Sequence, residues 1–322
     1  MSQAIQIEAT GGPEVLQLVE REAPSPGPGQ LGVEVAAAGV NFIDTYHRSG
    51  LYEMPLPLVP GQEGAGTVTE VGDGVAGFSV GDRVAWPGAT GSYATNHVVA
   101  AANAVAVPDA VDLDLAAAAM LQGMTAHYLA TSARPVEAGD RCLIHAAAGG
   151  TGRLLVQIAK RRGAEVVATA GTAEKVDLAR SAGADHVVNY SETDLVEGVE
   201  AAIGPNALDV VFDGVGAAVF DASLELLKVR GMMVTFGNAS GVVPPLSPLR
   251  LTAKSLYLTR PKLGDYIATR ADLELRAAEL FEWMTTGELE VRIGLSLPLA
   301  EAAEAHRRLE SRATTGKVLL IP

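Results

Sequence analysis

From Arg141 onward the chain alternates short apolar runs with helical patterns, and this alternation restricts its fold more than any other feature. Runs suited to strands stand at Arg141–Ala146, Glu165–Thr169, His186–Asn189, Asp209–Phe212, Met232–Phe236 and Ser255–Thr259. Helical patterns at Thr151–Arg162, Ala173–Ala182, Asp194–Ile203 and Val219–Lys228 separate the first five. Parallel strands need a crossover of a dozen or more residues, usually a helix, whereas antiparallel strands join through tight turns. The spacing therefore predicts a parallel sheet wound on both faces by helices. Gly163 and Gly183 follow two of these helices where C-terminal caps are expected.

The flanking segments read differently. The first 120 or so residues alternate short β-rich runs, such as Leu31–Ala37, Gly66–Val71 and Asp82–Trp86, with Gly/Pro turns. That pattern suits a compact all-β or partly open barrel unit. Leu113–Ala133, rich in Ala, Leu and Met, predicts one or two helices. In the tail, Asp272–Thr286 reads as an amphipathic helix, Val291–Leu297 as a strand, Leu299–Arg308 as a helix and Lys317–Ile321 as a last strand. We assign this tail back to the first domain, giving residues 1–122 with 265–322, and residues 123–264. The cleft between two such domains is the expected active site.

The segment His145-Ala146-Ala147-Ala148-Gly149-Gly150-Thr151-Gly152 follows an apolar strand and opens a helix. Ala147, Gly149 and Gly152 hold the spacing of the dinucleotide fingerprint, with Ala in the first place. The second glycine lets backbone approach a diphosphate, and the third lets the helix pack closely on its strand. Free N–H groups at the helix start then face the phosphates. An NAD site usually has an acidic residue at the end of the second strand. Here that region reads Ala168-Thr169-Ala170-Gly171-Thr172-Ala173-Glu174-Lys175, with small neutral residues at the critical end. Lys175 lies one turn on and Tyr190 ends the third strand, and both suit a 2′-phosphate. NADPH is the expected cofactor. Phe236–Gly241 follows the fifth strand, at the sheet edge where ligands bind.

Composition removes other classes. The formal net charge of −14 argues against nucleic acid and against an anionic membrane surface as partner. The lone Cys142 precludes an intrachain disulfide. The start lacks a signal-peptide layout, and no apolar run nears the roughly 20 residues of a membrane helix, so a cytoplasmic location is expected. One cysteine and six scattered histidines, His47, His97, His127, His145, His186 and His306, offer no zinc-ligand spacing. Neither a nucleophile elbow nor a P-loop lysine is present. Hydride chemistry needs none of these, because the cofactor carries the reactivity.

Further motifs are Gly11-Gly12-Pro13-Glu14-Val15-Leu16, Gly39-Val40-Asn41-Phe42-Ile43-Asp44-Thr45-Tyr46, Leu258-Thr259-Arg260-Pro261 and Ser311–Lys317. With the glycine loop and Phe236–Gly241, they give a chain that resembles, over its whole length, the quinone oxidoreductases. These are the zeta-crystallin-like branch of the zinc-independent medium-chain dehydrogenase/reductases. The resemblance implies a GroES-like β-rich catalytic domain, a Rossmann cofactor domain, hence an α/β fold, and a homodimer. Zinc-dependent relatives carry a metal-binding His where this chain has Gln62. Carried over by position, NADPH contacts fall on Asn41, Phe42, Ile43, Asp44, Tyr128, Gly149, Gly150, Thr151, Gly152, Gly171, Thr172, Lys175, Tyr190, Val215, Gly237, Asn238, Ser240 and Arg312. The quinone is expected over the nicotinamide near Asn41, Tyr46 and Tyr52, which are the candidate catalytic residues. Plainer roles compete: Asn41 as a turn cap, the tyrosines as packing residues, Arg312 as a surface ion pair. Arg153 is expected either to face solvent or to add positive charge near phosphate. The rival activity is reduction of an enone or alkenal double bond with the same cofactor. The rival from another class is a non-enzymatic nucleotide- or RNA-binding protein, against which the net charge weighs for RNA.

Overall fold

The computed structural model describes residues 1–322 as two compact units, Met1–Met124 with Ile267–Pro322, and Thr125–Tyr266. In chain order the elements are β1 (Ser2–Gln6), β2 (Gln17–Arg21), β3 (Gln30–Val40), α1 (Phe42–Ser49), β4 (Glu63–Val71), β5 (Arg83–Pro87), β6 (Asn96–Ala100), β7 (Val105–Ala106) and α2 (Leu113–Tyr128). There follow β8 (Arg141–Ile144), α3 (Gly150–Arg161), β9 (Glu165–Ala170), α4 (Ala173–Ser181), β10 (His186–Asn189), α5 (Leu195–Ile203), β11 (Leu208–Asp213), α6 (Phe220–Leu226), β12 (Leu227–Thr235) and β13 (Tyr257–Thr259). The chain closes with α7 (Leu263–Tyr266), α8 (Arg270–Thr285), β14 (Ile293–Pro298), α9 (Ala302–Glu310) and β15 (Lys317–Ile321).

In the first unit a seven-stranded sheet runs β14-β15-β3-β4-β5-β7, with β6 paired to β3. The chain's end joins its beginning here: Val318 pairs with Val40 and Leu319 with Gly39. Inward-facing Leu31, Val33, Val35, Val68, Val84 and Trp86 form one core with Leu299, Ala302 and Leu309 of the tail. Apolar alternation along each strand selects the register, since a one-residue slip would turn every core side chain to water.

The second unit is a six-stranded sheet, β10-β9-β8-β11-β12-β13, in which every pairing is parallel. Helices cover both faces of such a sheet, so its strands are apolar on both sides. Cys142-Leu143-Ile144, Val166-Val167-Ala168 and Val210-Val211-Phe212 are accordingly all buried. Helix limits follow local chemistry. Thr172 caps α4 by accepting from the Lys175 N–H, and Asp194 caps α5 by accepting from Val196 and Glu197. Gly163 and Gly183, at φ 84° and 102°, end α3 and α4 in the left-handed region that glycine alone enters at little cost.

Two expectations are corrected. Leu227 and Lys228, expected at a helix end, are extended and begin β12. Leu227 pairs with Leu208 across the sheet, and burial of its side chain outweighs helix propensity there. The tail helix expected from Leu299 starts with a 3-10 turn at Leu299–Glu301 and becomes α-helical from Ala302. No helix is long and apolar enough to cross a membrane.

Candidate functional site

The loop after β8 is pinned from several sides. Ala146 stands at φ 51°, the Ala147 N–H donates to Thr169 O (3.1 Å), and the Gly149 N–H donates to Ala146 O (2.9 Å). Gly149 is the N-cap of α3, and Arg153 is the first residue whose N–H reaches a carbonyl one turn back (Gly149 O, 2.9 Å). The N–H groups of Gly150, Thr151 and Gly152 therefore belong to the unsatisfied first turn and suit an anion. A Cβ on Gly152 would overlap Ala146 O and stand 2.9 Å from its carbonyl carbon. The glycine is thus what lets α3 close on the loop.

His145, beneath this loop, is buried and spans three elements. The Ser223 hydroxyl donates to Val219 O (2.6 Å), so Ser223 Oγ accepts from His145 Nε2–H (2.9 Å) and His145 Nδ1 accepts from the Thr169 hydroxyl (3.0 Å). Burial pushes its pKa down to about 3. The ring is therefore neutral and acts as a brace between β8, β9 and α6.

At the ends of β9 and β10 the structure gathers Gly171, Thr172, Lys175 and Tyr190. A Cβ on Gly171 would lie 2.6 Å from the Tyr190 hydroxyl, and the Ser191 hydroxyl donates to Gly171 O (2.8 Å). Tyr190 is 46% exposed, leaving its ring edge open to a ligand. At the ends of β11 and β12, Asp213 Oδ1 accepts from the Val215 and Gly216 N–H groups (2.7 and 2.9 Å). The Ser240 N–H and hydroxyl both donate to Val215 O, and a Cβ on Gly237 would overlap Gly214 O. Val215, Gly237, Asn238 and Ser240 thus form one interlocked pair of turns. Tyr128 is buried, its ring stacked on Tyr266 at 4.3 Å.

The expectation that Arg153 faces solvent is overturned. Its side chain is buried, and its guanidinium donates to Leu178 O and Ser181 Oγ, each at 2.9 Å. It ties α3 to the last turn of α4, whose negative dipole end favours a cation, adding to the Ala182 N–H and Ser181 hydroxyl that Leu178 O already accepts.

In the first unit, α1 carries the other predicted residues. Asn41 is its N-cap, with its N–H donating to Asp44 Oδ2 (2.8 Å). Phe42, Tyr46 and Tyr52 form an aromatic row, with Tyr46 and Tyr52 edge to face at 5.3 Å. The Asn41 amide is fully engaged: Nδ2 donates to Gly39 O and Glu63 Oε1, while Oδ1 accepts from Gln122 Nε2 (3.1 Å) and Lys317 Nζ (2.9 Å). An amide has two donor protons and two acceptor sites, so none remains for a bound molecule. Lys317 also pairs with Glu63 Oε1, and both side chains are buried. Glu63 Oε2 accepts from the Leu121 N–H (2.6 Å). Burial drives the Lys317 pKa down to about 7, and burial raises that of Asp44 to about 6 against its hydrogen bonds.

A second buried chain backs α1. Arg48 forms a bidentate pair with Glu310 (3.0 and 2.6 Å) and donates to His306 Nδ1 (3.2 Å). His306 Nε2 therefore carries its proton towards Tyr93 Oη (3.2 Å), and the Tyr93 hydroxyl donates to Asp44 Oδ2 (3.0 Å). Gln62 donates to Thr90 Oγ1 (2.6 Å). No group of three or more His, Cys, Asp or Glu side chains is assembled to hold a metal. Arg312 stands at φ 58° in the exposed turn after α9.

Sequence reasoning missed Glu63, Lys317, Asp213 and the Tyr93–His306 chain. A signal existed for two of them: Lys317 opens an otherwise apolar strand, and Glu63 lies between glycines at 61 and 64. A charge in such a setting is either at an edge or paired in the core.

The zinc-binding dehydrogenase family model matches residues 150–282, and the alcohol dehydrogenase GroES-like domain model matches residues 27–138. Quinone oxidoreductase 1 of Escherichia coli K12 is 44% identical, covering all of both chains. A 2-haloacrylate reductase of a Burkholderia species is 40% identical over 100% of this chain and 99% of its own. The crystal structure of an Escherichia coli quinone oxidoreductase complexed with NADPH superposes with a TM-score of 0.97, covering 99% of this chain and 100% of that one.

Proposed function

We propose, since the chain belongs to the quinone oxidoreductases of the zinc-binding dehydrogenase family, that it reduces quinones by hydride transfer from NADPH. The observation that carries this is the pinned loop Ala146–Gly152, which closes on α3 only because Gly152 has no Cβ, in a chain 44% identical over its full length to a quinone oxidoreductase. NADPH, when bound, supplies the hydride. The N–H groups of Gly150, Thr151 and Gly152 hold its diphosphate, aided by the positive end of α3. Gly171, Thr172, Lys175 and Tyr190 receive the 2′-phosphate end, and the turns at Val215 and Gly237–Ser240 border the nicotinamide end. Phe42, Ile43 and Asp44 contribute at the nicotinamide end from the start of α1, a turn that Asn41 holds through its own protein hydrogen bonds, and Arg312 contributes from the turn after α9. Tyr128 serves through the floor that its ring builds with Tyr266. Tyr46 and Tyr52 offer an aromatic wall against which a flat quinone ring can lie. Most acceleration comes from holding the two reactants together. Residues 1–124 with 267–322 act as the substrate-handling unit, and residues 125–266 as the cofactor unit.

Lys175→Ala should weaken NADPH binding about tenfold, the loss of one charge-assisted hydrogen bond at a part-exposed site. NADH, which lacks the 2′-phosphate, should lose less than twofold. Calorimetric titration with both nucleotides tests this, and equal losses would remove Lys175 from cofactor choice.

A second reading, reduction of a carbon–carbon double bond conjugated to a carbonyl, draws on the 40% identity to a reductase of 2-haloacrylate. NADPH oxidation measured with a benzoquinone, a naphthoquinone, a short alkenal and 2-chloroacrylate separates the two. Turnover of the quinones at least ten times that of the alkenal supports the first, and turnover confined to the conjugated alkenes replaces it.

The chain is further proposed to work as a homodimer, built on the free edge of β13. That strand pairs only with β12. Tyr257 (55%) and Leu258 (38%) on it are exposed, an unprotected apolar edge that a monomer would be expected to cover. Sedimentation in dilute buffer should give twice the chain mass; a single-chain mass would refute the dimer.

A further inference from the structure

The Lys317–Glu63 pair stands in a place built for it. A Cβ on Gly39 would overlap the Glu63 carboxylate, so only glycine there leaves the carboxylate room. Its two oxygens serve three groups from three separate stretches of chain: Lys317 on β15, the Asn41 side chain at the head of α1 and the Leu121 N–H on α2, while Gln122 donates to Asn41. A fully buried ion pair is not kept for stability, since well-packed apolar residues of similar volume commonly do as well or better. It does have one geometric consequence. A lysine can only donate and a carboxylate can only accept, so the two charges together fix which way the Asn41 amide faces. Asn41 in turn holds the first turn of α1, whose residues 42–44 are the nicotinamide-side contacts of the function proposed above.

We propose that Lys317 is a positioning residue for hydride transfer: its buried ammonium, clamped between Glu63 and Asn41, fixes the head of α1 at the reacting end of the cofactor. This rests on the NADPH:quinone reductase reading. Lys317 touches neither cofactor nor substrate and acts only through Asn41.

The test uses the full-length enzyme with NADPH and 1,4-benzoquinone. Three variants are made: Lys317→Met, the charge-free double Lys317→Met with Glu63→Gln, and Asn41→Leu, which cuts the link while leaving both charges. Kinetics are run with NADPH and with its C4-deuterated form. The expected result is a fall in kcat of about tenfold to a hundredfold in each variant, from small displacement of the reacting geometry. KM for both substrates should stay within about threefold, with a primary deuterium effect on kcat larger than in the parent enzyme. A purely structural role would lower the melting temperature without raising the isotope effect. Parent-like kcat and isotope effect in a folded double variant overturn the proposal. So does parent-like kcat in Asn41→Leu, which decides the matter even if the lysine variants do not fold. Failure of the parent enzyme to oxidise NADPH with any quinone would instead defeat the underlying function.

Discussion

Gly152→Val should weaken NADPH binding by about a hundredfold or more while leaving the fold intact. The new Cβ would overlap Ala146 O and stand 3.0 Å from Ala147 Cα. Those atoms cannot retreat. Ala147 is tied to Thr169 O, and Ala146 O already accepts from Gly149. His145, one residue earlier, is held by Thr169 and Ser223. Either α3 lifts away from its strand or the loop leaves its left-handed turn at Ala146. In both cases the three N–H groups cease to converge on one diphosphate. Overpacking of this kind costs about 1–3 kcal/mol, and the branched Val side chain against backbone sits at the upper end, near two powers of ten in affinity. Calorimetry gives the affinity and circular dichroism the fold. Unchanged NADPH affinity would mean the diphosphate is held elsewhere.

The second large effect is acid lability. Burial depresses His145 and His306 to about 3 and His97 to about 4, so all three are neutral in the folded chain at pH 5. The unfolded chain binds those three protons near the ordinary value of 6.5. A depressed folded pKa contributes stability above the unfolded value, and that stability is lost as pH falls towards the folded one. Asp44 works in the other direction. Its pKa is raised from 3.8 to about 6, so the folded form holds one proton that the unfolded chain lacks between those values. His47 is also depressed and Asp213 also raised by burial, and these two act in opposite directions, so three protons less one leaves the unfolded state about two richer between pH 6 and 4. Stability should therefore fall by about 2–3 kcal/mol per pH unit across that window. The loss divides between the units, His145 lying in one, and His97, His306 and Asp44 in the other. Urea unfolding at pH 7, 6 and 5 measures it. A flat midpoint over that range would mean the three rings are not held neutral.

What the chain announces in advance is periodic. The six parallel strands, their crossover helices and the cofactor loop are legible because each is a local pattern of apolar residues closed by glycine. The corner proposed for the 2′-phosphate was also within reach, since Gly171, Thr172 and Lys175 are near neighbours in sequence and only Tyr190 had to be brought across from β10. The reading of Leu227–Lys228 as helix failed where a strand partner on β11 outweighed local preference. Arg153 was misjudged for a related reason. Sequence allowed it to face solvent or to add charge near phosphate, but the carbonyl that claims it belongs to α4, 25 residues away in sequence at Leu178.

The sequence by itself therefore determined the order of strands and helices in the second unit, its glycine loop and the family resemblance. These depend on spacing and on residues that act through their own backbone. Only the tertiary structure decided that Asn41 spends its whole amide inside the protein, on Glu63 and on a lysine 276 positions later. The same holds for the line of Arg48, His306, Tyr93 and Asp44 behind α1. Hydrogen bonds and buried charges are satisfied by whichever group folding delivers within about 3 Å, and no periodicity along the chain records a partner that arrives from the opposite end.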